Sequence, residues 1–203
     1  MNKIVTKPLL QAIAVLDTHW FLFCCGALVN VTTSCHSVKS FANMWKPTNL
    51  FAFTAPSFHP IFATTFLLNF FQHIVIEGRS FDSAVGLLLN ASTLSRHSGI
   101  KRFWTRGSAV MDCELRWTHS RTQPLGELVP YQCPRCHCIQ AWDQGKNNTD
   151  SSQLRDVKMT CSYKDARGKC AECIEFLSRR RFKTVKALEG AWVAFDVEKK
   201  DFL

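Results

Sequence analysis

The residues best suited to chemistry in this chain are its 10 cysteines, which are unevenly placed. Cys24, Cys25 and Cys35 lie near the start, Cys113 stands alone, and the rest fall between Cys133 and Cys173. Cys133-Pro-Arg-Cys136 has the spacing at which one tight turn presents two thiolates to a single tetrahedral ion. Cys170-Ala-Glu-Cys173 repeats that spacing, and Cys161 closes the alternating run Val157, Met159, Cys161, so it arrives at a strand end, where ribbon ligands usually sit. We therefore expect a structural Zn2+ ligated by four of Cys133, Cys136, Cys161, Cys170 and Cys173, with no open coordination position. Cys138 and His137 adjoin the first turn and rank last as substitutes. A redox-active C-x-x-C normally opens a helix after a strand, a setting that Pro134 and the polar loop beyond it do not offer.

A second group of candidates lies near the start. Cys24-Cys25-Gly26 ends an apolar run, the place where open α/β sheets put functional side chains, and a nucleophilic Cys24 or Cys25 would need a histidine base within hydrogen-bond reach. None of the 7 histidines sits in a matching motif. His59, beside Pro60, and His97 read as loop or cap residues. Free cysteine is more commonly a small core residue, and catalysis is assigned to no residue.

The elements that must position these groups can be read from periodicity. Trp20 to Val31 has the length and composition of a strand buried on both faces. Thr33-Ser34 offers a helix cap, and Val38, Phe41, Ala42 and Trp45 follow along one helical face until Pro47. Leu50 to Ala55 is a second short strand. Pro60 opens a helix running to Glu77 whose apolar residues wrap most of the circumference, predicting burial, and Gly78 ends it. Ser80 caps a further helix through Leu89, and Ile100 to Trp104 reads as another strand. Met111, Cys113, Leu115 and Trp117 alternate with Asp112, Glu114 and Arg116, predicting a strand with one wet face. Thr118 to Glu127 is polar and contains Pro124 and Gly126, a linker by composition. Asp143 to Ser152 reads as a polar loop.

The expected fold is thus α/β: a partial, mainly parallel sheet with flanking helices over residues 1–118, then a small β-rich, zinc-ribbon-like module with a basic C-terminal segment over 119–203. An apolar content of 46% excludes disorder for most of the length. The net charge is +9, most of it beyond Asn90, which invites nucleic acid as a partner beside an unidentified protein. Arg179-Arg-Arg-Phe-Lys183 reads as an exposed charged turn, a phosphate-binding patch or a nuclear-import address. Asn30-Val-Thr, Asn90-Ala-Ser and Asn147-Asn-Thr are legal glycosylation sequons. The first residues nevertheless make a poor signal peptide and no membrane span, because Gln11 and Asp17-Thr18-His19 interrupt them. An intracellular setting, cytoplasmic or nuclear, is expected, with no membrane partner.

The string Trp20-Phe-Leu-Phe-Cys-Cys-Gly-Ala, then Phe51-Ala-Phe-Thr-Ala-Pro-Ser-Phe and a helix ending in Ile76-Glu-Gly, resembles the later half of a caspase-like or CHAT-type α/β domain. The chain also resembles uncharacterised fungal proteins that join such a half-domain to a cysteine-rich, zinc-ribbon-like tail. The resemblance covers residues 18–105 or so. It implies that Cys24 or Cys25 is similar to the peptidase nucleophile, while His19 sits inside the strand rather than on the histidine loop of that family. Three functions follow as expectations: a non-enzymatic zinc-binding interaction or scaffold protein, a nucleic-acid-binding zinc-ribbon protein, and a truncated or degenerate caspase-like cysteine peptidase. The first is the reading adopted.

Overall fold

The computed structural model describes residues 17–90, 92–139, 142–144, 156–166, 168–170, 172–177, 182–186 and 191–196. The chain divides into two compact units, with the boundary between Leu115 and Arg116.

In the first unit β1 (His19–Leu22), β2 (Asn49–Phe53), β3 (Ile100–Arg106) and β4 (Ala109–Thr118) lie side by side in chain order. Only β1 and β2 run parallel, with His19 opposite Asn49, while β3 is antiparallel to both β2 and β4. The sheet is therefore mixed, which corrects the mainly parallel expectation. The connections give the reason. A crossover helix, α2 (Thr32–Trp45), joins β1 to β2 and permits the parallel pair. The helices between β2 and β3 leave and return at one end of the sheet, so that Thr54 N donates to Gly99 O at 3.0 Å. The two-residue turn between β3 and β4, with Gly107 at φ 63, allows only an antiparallel pair.

The run from Trp20 to Val31 is not one strand. β1 stops at Leu22, and α1 (Ala27–Asn30) begins a few residues later. Gly26 marks the break: its amide donates to Ala55 O at 2.7 Å, so the backbone turns in against the end of β2. α2 starts at Thr32 with Val31 as the extended N-cap residue and no side-chain cap bond, so Thr33-Ser34 does not cap it. It ends at Lys46, left-handed at φ 44, directly before Pro47.

β2 is buried along its whole length because both faces are covered. Leu50 and Ala52 pack with Val29, Val38, Ala42 and Phe103 on the α2 side. Phe51, pointing the other way, meets Phe66, Phe70 and Phe81 with ring centroids 5.8, 5.4 and 5.4 Å away. The segment predicted as one buried helix from Pro60 is a 3₁₀ turn (Pro60–Ala63), α3 (Thr64–Phe70) and a π-helical turn (Phe71–Ile76). Phe66, Phe70 and Ile74 face the core, but Leu68, Phe71, Val75 and Ile76 are more than half exposed, so burial all round is not what forms. α4 (Phe81–Leu88) is capped as expected, Ser80 Oγ accepting from Ser83 N at 3.3 Å, and a short α5 (Ser92–Ser95) follows.

Asp112 corrects the wet-face expectation for β4. Its side chain is buried between Lys39 of α2, 2.8 Å from one carboxylate oxygen, and Lys101 of β3, 3.9 Å from the other. Burying a carboxylate is tolerable only with such partners.

Arg102, Asn49 and His19 form a polar relay across this sheet. Arg102 Nε donates to Asn49 Oδ1 at 2.7 Å, its Nη1 donates to Asp82 at 3.0 Å, and its guanidinium lies over Phe81 and Trp104. That bond orients the Asn49 amide, so Asn49 Nδ2 donates to His19 Nδ1 at 3.0 Å and the neutral ring carries its proton on Nε2. Burial holds the His19 pKa below the usual 6.5; Asp17 opposes this and Arg102 adds to it. The unfolded chain therefore takes up the proton more readily than the folded one. The stability from neutral His19 is complete above pH 6.5 and is lost as pH falls through that value toward the lower folded pKa. Urea midpoints measured from about pH 7.5 to about pH 5 should fall for the native chain and fall less for His19→Gln. Equal slopes would remove His19 from the account.

In the second unit β5 (Trp142–Gln144), β6 (Asp156–Cys161) and β9 (Cys173–Leu177) form an antiparallel sheet. A small hairpin, β7 (Lys164–Asp165) with β8 (Gly168–Lys169), is inserted between β6 and β9. β10 (Phe182–Lys186) and β11 (Ala191–Asp196) make a further antiparallel pair. The stretch expected to be a free linker contributes to the core here: Leu125 is buried with Val157 and Met159, against Val129, Trp142 and Phe176. The expected loop from Asp143 starts inside β5, and its later part, with the Asn147 sequon, lies outside the described residues. Arg179 to Arg181 also lie outside them.

Candidate metal centre

Two turns bring four cysteine sulfurs together. In the first, Cys133 N donates to Cys138 O at 3.0 Å and His137 N to Cys133 O at 2.9 Å, with His137 left-handed at φ 58. A bridge between Gln132 and Ile139 closes its base. Cys133 is thereby buried inside its own turn, with Cys136 beside it. In the second, Cys161 ends β6 and Cys170 follows β8, so the pair straddles the β7–β8 hairpin, and Cys170 N donates to Tyr163 O at 2.9 Å.

The sulfurs of Cys133, Cys136, Cys161 and Cys170 all lie within 4.8 Å of one another. Cys133 and Cys170 approach to 3.8 Å and Cys136 and Cys161 to 3.6 Å, each contact joining one turn to the other. All four are free thiols. This group could hold a metal ion.

Cys173, the fifth expected ligand, is not in the group. It stands opposite Thr160 in the β6–β9 register. Directly paired residues share a sheet face and successive residues alternate, so Cys173 lies on the face that Cys161 leaves. Cys138 supplies its backbone carbonyl to the first turn.

Electrostatics within the cluster are uneven. Burial pushes the Cys133 thiol up, but the backbone amides of Cys136 and Arg135, with the thiols of Cys136 and Cys161, outweigh it and bring Cys133 down to about 7. Cys136 is pushed up to about 12 by burial and by the neighbouring thiols, although a bond from the Cys138 backbone opposes this, and Cys161 is also raised, chiefly by burial. Without a cation one sulfur at a time ionises easily while the others donate to it. A divalent cation stabilises several thiolates at once.

The first-unit candidates do not share these features. Cys24 follows β1, and its Sγ lies 3.7 Å from Leu22 O. Burial, with the neighbouring Cys25, raises its pKa, the reverse of what an activated nucleophile needs. Cys25 is exposed. His97 Nε2 accepts from His59 N at 3.0 Å, tying together the two ends of the helical stretch between β2 and β3, and His59 stands at the N-cap of its first turn as expected. Sequence reasoning missed a groove of about 560 Å³ lined by His19, Phe21, Leu67, Leu68, Phe71 and Val75. Its only signal was the excess of apolar residues on the helix from Pro60, which exceeds what one core-facing stripe requires.

Fold and cluster together define the class: a mixed α/β unit followed by a β-rich unit whose turns gather four cysteines into a group able to hold a metal ion. Comparison with protein-family models, curated proteins and solved structures gives no match. Among the described residues no helix is long and apolar enough to cross a membrane.

Proposed function

We propose that the chain is a non-enzymatic zinc-binding interaction protein whose second unit is a docking module built around one structural Zn2+. The observation that carries this reading is the arrangement of the four sulfurs. Zn–S bonds of about 2.3 Å in a tetrahedron put sulfurs about 3.8 Å apart. The two short cross-turn contacts are 3.8 and 3.6 Å. Four soft thiolates suit zinc, and four protein ligands leave no position for water or substrate, the pattern of a structural site. Cys133, Cys136, Cys161 and Cys170 would hold the ion.

The peptidase reading rests on the resemblance of the first unit alone, and the raised Cys24 pKa weighs against it. An intracellular, reducing setting fits thiolates kept free for metal. Mass spectrometry of the purified chain should find about one zinc per molecule. Cys170→Ser should lose it and Cys173→Ser keep it. Metal retained in the first variant and lost in the second would overturn the ligand set, and no metal in the native chain would overturn the function.

A further inference from the structure

The hairpin that delivers Cys161 and Cys170 also sets two lysines face to face. Lys164 and Lys169 are register partners in β7–β8, both exposed, and neither is in an ion pair with a described side chain. Like charges directly across a two-stranded pair repel, so the hairpin is better satisfied with an anion beside it. Arg135 adds a third exposed cation at the tip of the other turn. Each turn also carries an exposed aromatic ring: Tyr131 at 65% exposure ahead of the first, and Tyr163 at 38% directly before Lys164. Both turns converge on the same four sulfurs, and each of the three cations and two rings lies within three residues in sequence of one of those cysteines.

We infer that this surface binds single-stranded nucleic acid, with Tyr131 and Tyr163 stacking on bases and Arg135, Lys164 and Lys169 holding phosphates. The inference rests on the zinc reading, since the metal would fix the two turns relative to each other. A duplex hides its base faces, whereas a single strand offers them to exposed rings, and backbone phosphates answer the exposed cations. An acidic protein would satisfy the cations but not use the rings.

Fluorescence anisotropy of labelled oligothymidylate and oligouridylate, about 16 nucleotides long, with the zinc-loaded full chain tests this. Three phosphate contacts predict a slope of log K against log salt of about −2. Lys164→Ala with Lys169→Ala should bring that slope toward about −0.7, in step with the one contact remaining. Tyr131→Ala with Tyr163→Ala should weaken binding by about tenfold or more and leave the slope unchanged. Zinc content is measured for every variant. A chain that holds zinc yet binds neither strand at about 50 mM salt overturns this inference and leaves the zinc reading standing. Equal binding of polyglutamate, insensitive to the tyrosine replacements, overturns it in favour of an acidic protein partner. Absence of zinc in the native chain overturns the reading beneath it.

Discussion

Cys133→Ser with Cys136→Ser should abolish metal binding and unfold the cysteine-bearing part of the second unit while the first unit stays folded. The two residues form one turn, and that turn meets the second through the 3.8 and 3.6 Å sulfur contacts. Among the described residues the apolar cluster beside them has three buried members, Leu125, Val157 and Met159, and a cluster that small stabilises weakly. Structural zinc in small modules supplies about 10–16 kcal/mol of coupled binding and folding free energy, far more than such a core. Hydrogen exchange should show amide protection in β6 and β9 lost in the variant, or on treating the native chain with a strong chelator, with β2 and β3 unchanged. Protection retained in β6 and β9 after verified metal removal would mean that the apolar core suffices and that the cluster is an accessory.

Gly26→Ala should be the most damaging single substitution in the first unit that removes no side chain. A Cβ there would fall 2.0 Å from Thr54 O and 2.5 Å from Thr54 C. Both atoms are backbone, so no rotamer change can relieve the clash. The amide of Gly26 also donates to Ala55 O, so separating the segments breaks that bond as well. Overpacking that moves backbone costs about 3 kcal/mol at the upper end of the usual range. At roughly 4–8 °C per kcal/mol for a unit of this size, the melting temperature should fall by more than about 10 °C. Gly107→Ala is the control: its φ of 63 strains any side chain, but nothing lies within 4 Å of the added carbon. It should cost about 1 kcal/mol. Equal losses in the two variants would show that the close approach of Gly26 to Thr54 does not govern packing there.

Gly26 also shows why the first apolar run misled. Periodicity reports which residue types are apolar, and from Trp20 to Val31 nearly all of them are. It is silent about a backbone turning in against another strand, because Thr54 is remote in sequence. The helix from Pro60 misled in the opposite direction: its residues are as apolar as a buried helix requires, but α3 and the π-helical turn are covered on one side only, leaving Leu68, Phe71 and Val75 along a groove. The alternation of Met111, Cys113, Leu115 and Trp117 puts Asp112 on a wet face, and only the approach of Lys39 from α2 and Lys101 from β3 makes its burial tolerable.

What the sequence determined by itself was local: the Cys133-x-x-Cys136 turn, the arrival of Cys161 at a strand end, the Ser80 cap, and the Pro47 and Gly78 stops. Each depends on residues within one turn or one strand, where spacing alone sets geometry. The tertiary structure decided the rest. Strand direction followed from which end of the sheet each connection returns to, and the choice of Cys170 over Cys173 in the cluster followed from the β6–β9 register. A shift of one residue in that register would exchange the faces, and no property of Cys170 or Cys173 alone sets the register, because it is fixed by how two strands separated in sequence pair their backbones.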